Sequence, residues 1–378
     1  VLVVGGGVIG LGVAWRLAQR GRRVVVFERG EAGHGATWAA AGMLSPTSEL
    51  KFEEADLYRL GRESLRRWPD FARELEAASG QAVGYRSEGT LIVADDRDSA
   101  EALRRLFSFQ REHGAPAEWL TPDVALDREP FLSPRLTAAV FSPEDHQVDN
   151  RAVVRALAHA LRRAGGDLRE HTPVRAVVPD EAAPAAILDD GSRVTGKVVV
   201  LAAGAWSRHV DGLENHAPPV RPVKGQALAL RIAAPFALRH VVRGPDAYLV
   251  PKADGRLVVG ATIEEVGFDA RVTGGGVYRL LEGAVAVVPG VEELELEGVW
   301  AGLRPASRDH APIMGAAALP GMVYATGHYR HGLLLAPVTA DEVAAEVTAM
   351  RAEESGAARG ETSSWLAPFS PRRFTTDP

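Results

Sequence analysis

Gly5, Gly7 and Gly10 stand at the spacing G-x-G-x-x-G, between the apolar run 1–4 and a helical pattern through Ala14, Leu17 and Ala18. The chemistry this suits is dinucleotide binding. Gly5 makes the tight turn, Gly7 lets the backbone approach a pyrophosphate, and Gly10 lets the helix lie close on the sheet, with its N-terminal N–H groups facing the phosphates. A second apolar run, 24–27, ends on Glu28, eighteen residues beyond Gly10, where an acid accepts hydrogen bonds from ribose hydroxyls. Its charge would repel a 2′-phosphate, which leaves FAD or NAD. Gly-rich turns also occur for purely structural reasons, but strand, helix, second strand and terminal acid all stand at the expected spacing. Residues 33–44, GHGATWAAAGML, then bring small side chains at a density that suits backbone approach to a flat ligand, with Thr37 supplying a hydroxyl. A tightly packed helix crossing is the alternative.

Two arginines, Arg304 and Arg330, stand near glycines in what read as turns. A planar guanidinium suits bidentate capture of a carboxylate, although an Arg is more often a solvated surface charge. The turn after Arg330 opens the final helix, whose positive end could stabilise negative charge on a cofactor. His146, His328 and His331 are candidates too. No third ligand stands at metal spacing beside the last two, so no metal is expected. There is no Gly-x-Ser-x-Gly elbow, and the absence of cysteine excludes disulfides, thiolate metal sites, Cys nucleophiles and a flavin tethered through sulfur.

The elements that must position these groups can be read from the hydrophobic periodicity. Helices are expected over 53–79, broken near Pro69, and over 98–113, 150–164, 277–288 and 337–351, the last with a capping box at Thr339 and Glu342. Strands are expected at 89–93, in a meander over 173–194, and in a buried run 197–201 that enters a second βα turn at 202–206. Alternating strands over 220–262 suggest a mostly antiparallel sheet. Parallel units at both ends therefore enclose antiparallel material, in an α/β fold whose nucleotide domain is discontinuous.

The 378 residues fit two domains. With 46 % hydrophobic and 24 % charged residues and a net charge of −6, the chain offers no basic field for nucleic acid and no apolar run long enough to span a membrane. It opens on Val1 without an initiator Met, which reads as a few residues left out; a removed targeting segment stays open, and a cytoplasmic location is expected.

Residues 37–44 (TWAAAGML), Lys224-Gly225-Gln226, residues 248–262 (YLVPKADGRLVVGAT), 302–305 and 327–332 carry a resemblance that spans nearly the whole chain. The sequence resembles the D-amino acid oxidase superfamily of FAD-dependent amine oxidoreductases, most of all its glycine oxidase branch, which is linked to thiamine biosynthesis. The resemblance implies a Rossmann-like FAD-binding domain of the p-hydroxybenzoate hydroxylase type, drawn from 1–85, 143–220 and 300–378. It also implies a substrate domain on a mostly antiparallel sheet, from 86–142 and 221–299. Beyond the glycine fingerprint, contacts to noncovalent FAD would fall on Val8, Ile9, Glu28, Arg29, Ala36, Thr37, Ala41, Gly42 and Met43. Val174 would meet the adenine, and His328, Tyr329, Arg330, His331, Gly332, Leu333 and Leu334 would line the flavin ring near N1 and O2. Arg304 and Tyr248 would clamp a substrate carboxylate, with Arg330 as a further contact.

The implied reaction is oxidation of a small amino acid, glycine or a close relative, by hydride transfer to flavin N5. It gives an imine that hydrolyses to 2-oxo acid and ammonia, with O₂ reoxidising the flavin to yield hydrogen peroxide and no essential protein base. Sarcosine, proline or D-amino acid oxidation, or a dehydrogenase using another electron carrier, stay open as alternatives. A flavoprotein acting on modified tRNA is a rival from another class, against which the negative charge weighs. A homo-oligomer is expected. The family's turn often reads His-Phe-Arg-Asn-Gly, whereas here it is His328-Tyr329-Arg330-His331-Gly332, two departures that bear on the width and polarity of the substrate pocket.

Overall fold

The computed structural model describes residues 1–354 and 365–374. Two large sheets organise it. The first has six strands in the order Ile313–Ala316, Met322–Thr326, Val199–Leu201, Leu2–Val4, Val25–Phe27, Asp167–Arg169. All neighbours run parallel except the pair Ile313–Ala316 and Met322–Thr326. Leu2–Val4 is buried along its length between Val199–Leu201 and Val25–Phe27, so the glycine turn that follows it opens at the carboxyl edge of the sheet, where open α/β sheets bind ligands.

The second sheet has eight strands, in the order Glu295–Ser307, Val220–Arg231, Arg256–Gly260, Tyr248–Pro251, Val241–Arg243, Thr90–Ala94, Ala138–Ser142, Glu118–Leu120. It is antiparallel apart from Val241–Arg243 against Thr90–Ala94. Side-chain size follows the two-residue period of a strand. Leu228 and Leu230 enter a core that includes Leu280, Ala284 and Val287 of the helix Gly274–Val287. Ala227 and Ala229 point to the other face, with Ala41, Val250, Val258 and Trp300. The smaller side chains thus turn toward the first sheet's loops and leave space there.

On one face of the parallel sheet, the helices Val8–Gln19, Ala55–Ser79, Asn150–Arg163 and Ala336–Glu354 share one core. Asp149 caps Asn150–Arg163 by accepting from Ala152 N at 2.8 Å. The helix Ala55–Ser79 runs unbroken through Pro69, contrary to the break expected there. Pro69 is on the exposed side of the helix, where its ring meets solvent and not the core. Trp68 and Phe71, both fully buried and edge to face at 5.4 Å, hold the turn in place; losing either side chain costs about 3–5 kcal/mol.

Other departures have local causes. Thr339 does not cap the final helix, which begins at Ala336; its hydroxyl lies inside the first turn, 3.0 Å from His328 Nε2, while Glu342 pairs with Arg67 at 2.9 Å. The run 202–206 leads into a 3₁₀ turn, Gly204–His209, in place of a full βα helix. Asp167–Arg169 adds an edge strand whose polar ends masked its pattern. Among the described residues no helix is long and apolar enough to cross a membrane. Of the expected segment 300–378, residues 355–364 and 375–378 lie outside the described residues.

Candidate active site

A cavity of about 640 Å³ runs from the glycine turn, between the two sheets, to the turn before the final helix. The glycine end is built by close approach. Gly5 has φ +109°, and a Cβ there would lie 2.3 Å from Ala202 O; a Cβ on Gly10 would lie 2.0 Å from Gly5 O. Gly5, Gly7, Val8 and Ile9 line the cavity, while Gly10 stands behind them. Glu28 lies in the wall, its Oε2 accepting from Gly6 N at 2.7 Å and its Oε1 from Gly30 N at 3.0 Å. A carboxylate with two such bonds keeps lone pairs for ribose hydroxyls. Arg29 is also in the wall, its guanidinium 3.4 Å from the centre of the Trp206 ring, and Val174 borders the same end.

The run at 33–44 is a short turn, not a helix crossing: only Ala36–Ala39 is helical. Thr37 Oγ1 accepts from Val8 N at 3.1 Å, and Asn150 Nδ2 donates to Thr37 O and Trp38 O at 2.8 and 3.0 Å. Trp300 Nε1 donates to Ala39 O at 3.0 Å, which ties the long strand Glu295–Ser307 to this turn. Ala36, Thr37, Ala41, Gly42 and Met43 all face the cavity.

At the far end Arg304 is not in a turn, as the flanking glycine suggested, but inside the strand Glu295–Ser307. Its Nη1 donates to Thr262 O at 3.0 Å and Lys224 O at 3.3 Å. No carboxylate lies within ion-pair distance of it among the described residues. A Cβ on Gly225 would lie 2.3 Å from Arg304 Nη1, so the glycine of Lys224-Gly225-Gln226 makes room for the guanidinium. Tyr248 stands beside it. Burial pushes the Tyr248 phenol up, against the pull of Arg304, so it keeps its proton at neutral pH.

The turn 327–332 closes the cavity. Tyr329 N donates to Pro305 O at 2.8 Å, and His328, Tyr329, Arg330, Gly332 and Leu333 line the wall. Two residues expected here do not. His331 turns to Glu49, its Nδ1 3.5 Å from Oε2, and Leu334 packs into the helical core while its carbonyl accepts from Ser64 Oγ and Trp68 Nε1. The winding of the chain toward the final helix carries these side chains away from the cavity. Burial pushes both His328 and His331 down to about 3, so both rings are neutral. His146 lies outside the cavity, bonded to the Tyr85 hydroxyl at 2.6 Å.

Sequence reasoning missed Glu49, Lys51 and Arg243, all in the wall at this end. Arg243 Nη1 is 3.3 Å from Glu49 Oε1, and Arg330 Nη2 donates to Glu54. One signal was available for Arg243: it pairs in register with Tyr248 across a hairpin.

The cavity fits a dinucleotide bearing a flat ring system. The Gly run bares backbone at one end, and at the other the N–H groups of Gly332, Leu333 and Leu334 have no acceptor among the described residues. Residues 1–346 match the family described as FAD dependent oxidoreductase (DAO). The chain belongs to that family. FAD is its cofactor, and it is an oxidoreductase. It is 37 % identical over 373 residues to the glycine oxidase of Geobacillus kaustophilus (strain HTA426), covering 98 % of this chain and 96 % of that one. The crystal structure of glycine oxidase from Geobacillus kaustophilus superposes with a TM-score of 0.91 over 99 % of this chain and 98 % of the other. A bifunctional protein ThiO/ThiG of Synechocystis sp. (strain ATCC 27184 / PCC 6803 / Kazusa) is 33 % identical over 385 residues. That match covers 100 % of this chain and 54 % of the relative, so the chain spans about half of that protein's length.

Proposed function

We propose that the protein oxidises a small amino acid, glycine or a close relative, to the imine, which water converts to 2-oxo acid and ammonia. The observation that carries this reading is Arg304: a guanidinium without a carboxylate partner, seated against Tyr248 by Gly225, at the end of a cavity suited to FAD. A small amino acid offers little to recognise besides its carboxylate. The free edge of Arg304 takes that group bidentately and the Tyr248 hydroxyl donates a further hydrogen bond, so that the Cα–H is aimed into the cavity. The chemistry that bound FAD would supply is two-electron: it would take the hydride from Cα and be reoxidised by O₂ to give hydrogen peroxide.

Gly5, Gly7, Val8, Ile9, Glu28 and Arg29 would hold the adenosine and pyrophosphate, with Val174 at the adenine. Ala36, Thr37, Ala41, Gly42 and Met43 would bear on the ring, with His328, Tyr329, Arg330, Gly332 and Leu333 at its other edge. The positive end of the final helix and the N–H groups before it would receive negative charge there. The neutral His328 and His331 lack the acidic proton of an imidazolium and are too weakly basic to take one up, and no protein base is needed when the substrate amine is neutral. The proposal keeps 1–85, 143–220 and 300–378 as the FAD domain and 86–142 and 221–299 as the substrate domain. It also includes a cytoplasmic homo-oligomer and a place in thiamine biosynthesis.

A peroxide assay across glycine, sarcosine, D-alanine and D-proline tests it. Turnover of at least one of these with matching O₂ uptake is the expected result. Reduction of the flavin by none of them would remove the reading.

A further inference from the structure

The cavity's substrate end contains a carboxylate that the chain itself supplies. Glu49 lines it, with Oε1 3.3 Å from Arg243 Nη1 and Oε2 3.6 Å from Arg330 Nε. Both separations are those of ion pairs and exceed the 2.7–2.9 Å of a charged hydrogen bond. Arg243 Nη1 and Arg330 Nη1 are buried with no hydrogen-bond partner, so the two guanidiniums hold donor capacity that Glu49 leaves unused. Burial alone would raise the Glu49 carboxyl, yet Arg243, with Arg330 and Arg304, holds it below the ordinary range, and it is an anion at neutral pH. Lys51 adds a further cation in the wall, and Glu54 takes one edge of Arg330. Arg304 differs from these: it bonds to backbone carbonyls and to the Tyr248 hydroxyl, and no carboxylate of the described residues pairs with it.

Resting on the amino-acid reading above, we propose that Arg243 and Arg330 form a second carboxylate cradle that Glu49 fills from within. Glu49 is then the specificity-determining residue that confines the enzyme to substrates with one carboxylate. A substrate held at Arg304 by its first carboxylate would bring a second one toward Arg243 and Arg330, where it meets the Glu49 anion. Glu49 and Glu54 together balance the charge of the two guanidiniums, so the incoming carboxylate gains less from them than it would alone and meets the desolvated Glu49 anion at the position it needs. Selectivity of this kind acts by excluding the wrong ligand and does not require a better fit to the right one.

Sarcosine and iminodiacetate are both secondary amines of glycine and differ by one carboxylate, so the ratio of their kcat/KM values reads the cradle. Glu49→Ala and Glu49→Gln holoenzymes are expected to raise the iminodiacetate-to-sarcosine ratio at least about tenfold. Adding Arg243→Ala to Glu49→Ala should abolish the gain, which simple enlargement of the pocket would not do. Glu49→Gln keeps the shape of the side chain, and flavin absorbance reports holoenzyme content if the Ala variant folds poorly. Perturbation of the flavin spectrum by acetate and by malonate gives the same comparison as a ratio of Kd values without turnover. A shift in the Kd ratio together with no oxidation of any amine by the parent would sink the amino-acid reading and keep the cradle. A parent that oxidises sarcosine while neither ratio moves in either Glu49 variant would overturn the cradle.

Discussion

Truncation of Arg304 is the sharpest test of the carboxylate clamp, because the side chain's surroundings separate binding from stability. Arg304 Nη1 is committed to Thr262 O and Lys224 O, and Lys224 O also accepts from Glu264 N at 3.0 Å. Arg304→Ala therefore leaves the Lys224 carbonyl paired and strands no ion-paired carboxylate, while the Thr262 carbonyl loses its donor, so the fold should lose only about 1 kcal/mol. The substrate's carboxylate, in contrast, would be buried without its partner, a loss of about 2–5 kcal/mol. That corresponds to a fall of roughly thirty- to several-thousand-fold in kcat/KM. The assay is steady-state peroxide formation across the amino acid series, with the flavin spectrum and thermal unfolding followed in parallel; both should stay close to the parent's. Arg304→Lys should recover only part of the loss, because an ammonium cannot reproduce the planar fork. Amines lacking a carboxylate should be poor substrates of the parent and lose little more. Nearly full activity of Arg304→Ala on every amino acid tested would refute the clamp and make Arg330 the next residue to change.

Gly225→Ala places a methyl 2.3 Å from Arg304 Nη1; moving the guanidinium by about 1 Å should lower kcat/KM by up to ~100-fold, mostly through KM, and an unchanged KM would argue against the seat. Glu28→Gln turns an amide toward Gly6 N or Gly30 N and should weaken FAD retention by about 1–3 kcal/mol; equal dissociation constants by flavin fluorescence would remove the ribose role. The denatured chain should show its bare polypeptide mass, since FAD is expected to be held noncovalently; one added flavin mass would contradict this. Burial pushes Lys252 from 10.5 down to about 7. The unfolded chain then binds the proton that the folded chain has released across that window, and this contribution to stability rises with pH by at most about 1.4 kcal/mol per unit. Lys252→Met should flatten the rise in urea midpoint between pH 7 and 9 relative to the parent, and parallel pH profiles would contradict the shift.

The cofactor end of the cavity was legible in the sequence because it is built from backbone. Where a ligand must approach main-chain N–H groups, only glycine or a very small residue fits, and the constraint is local: residues 5–10, 28 and 36–43 carry it within one βαβ unit and the turn after it. The strand around Tyr248 and the Lys224-Gly225-Gln226 motif stood out only through the family resemblance. Errors came where tertiary packing overrode a local signal. Pro69 did not break its helix because Trp68 and Phe71 anchor the turn on both sides of it. Arg304 read as a turn residue because Gly302 precedes it, whereas a Cβ at Gly302 would lie 2.3 Å from Ala39 Cβ. That glycine marks a strand pressed against the Ala36–Ala39 turn.

The substrate end was not legible, for a physical reason that Glu49 illustrates. Its position depends on a loop fixed by contacts remote in sequence: Thr47 N and Ser48 N donate to Asp145 at 3.0 and 2.9 Å, and Gln110 Nε2 donates to Thr47 O at 2.9 Å. Arg243 reaches the same point from a strand paired with Thr90–Ala94, and Arg330 from the turn before the final helix. Each is a commonplace charged side chain in its own segment, with no spacing rule to link it to the others. Recognition by side chains leaves such weak traces because any element that reaches the pocket can donate the group, whereas recognition by backbone restricts the residue type at each step of the chain. The consequence is an unequal division of change between the two ends. Substitution among Glu49, Lys51 and Arg243 alters charge in the pocket without touching the glycine turn. A scaffold of this kind can therefore exchange one amino acid substrate for another while its hold on FAD stays as it is.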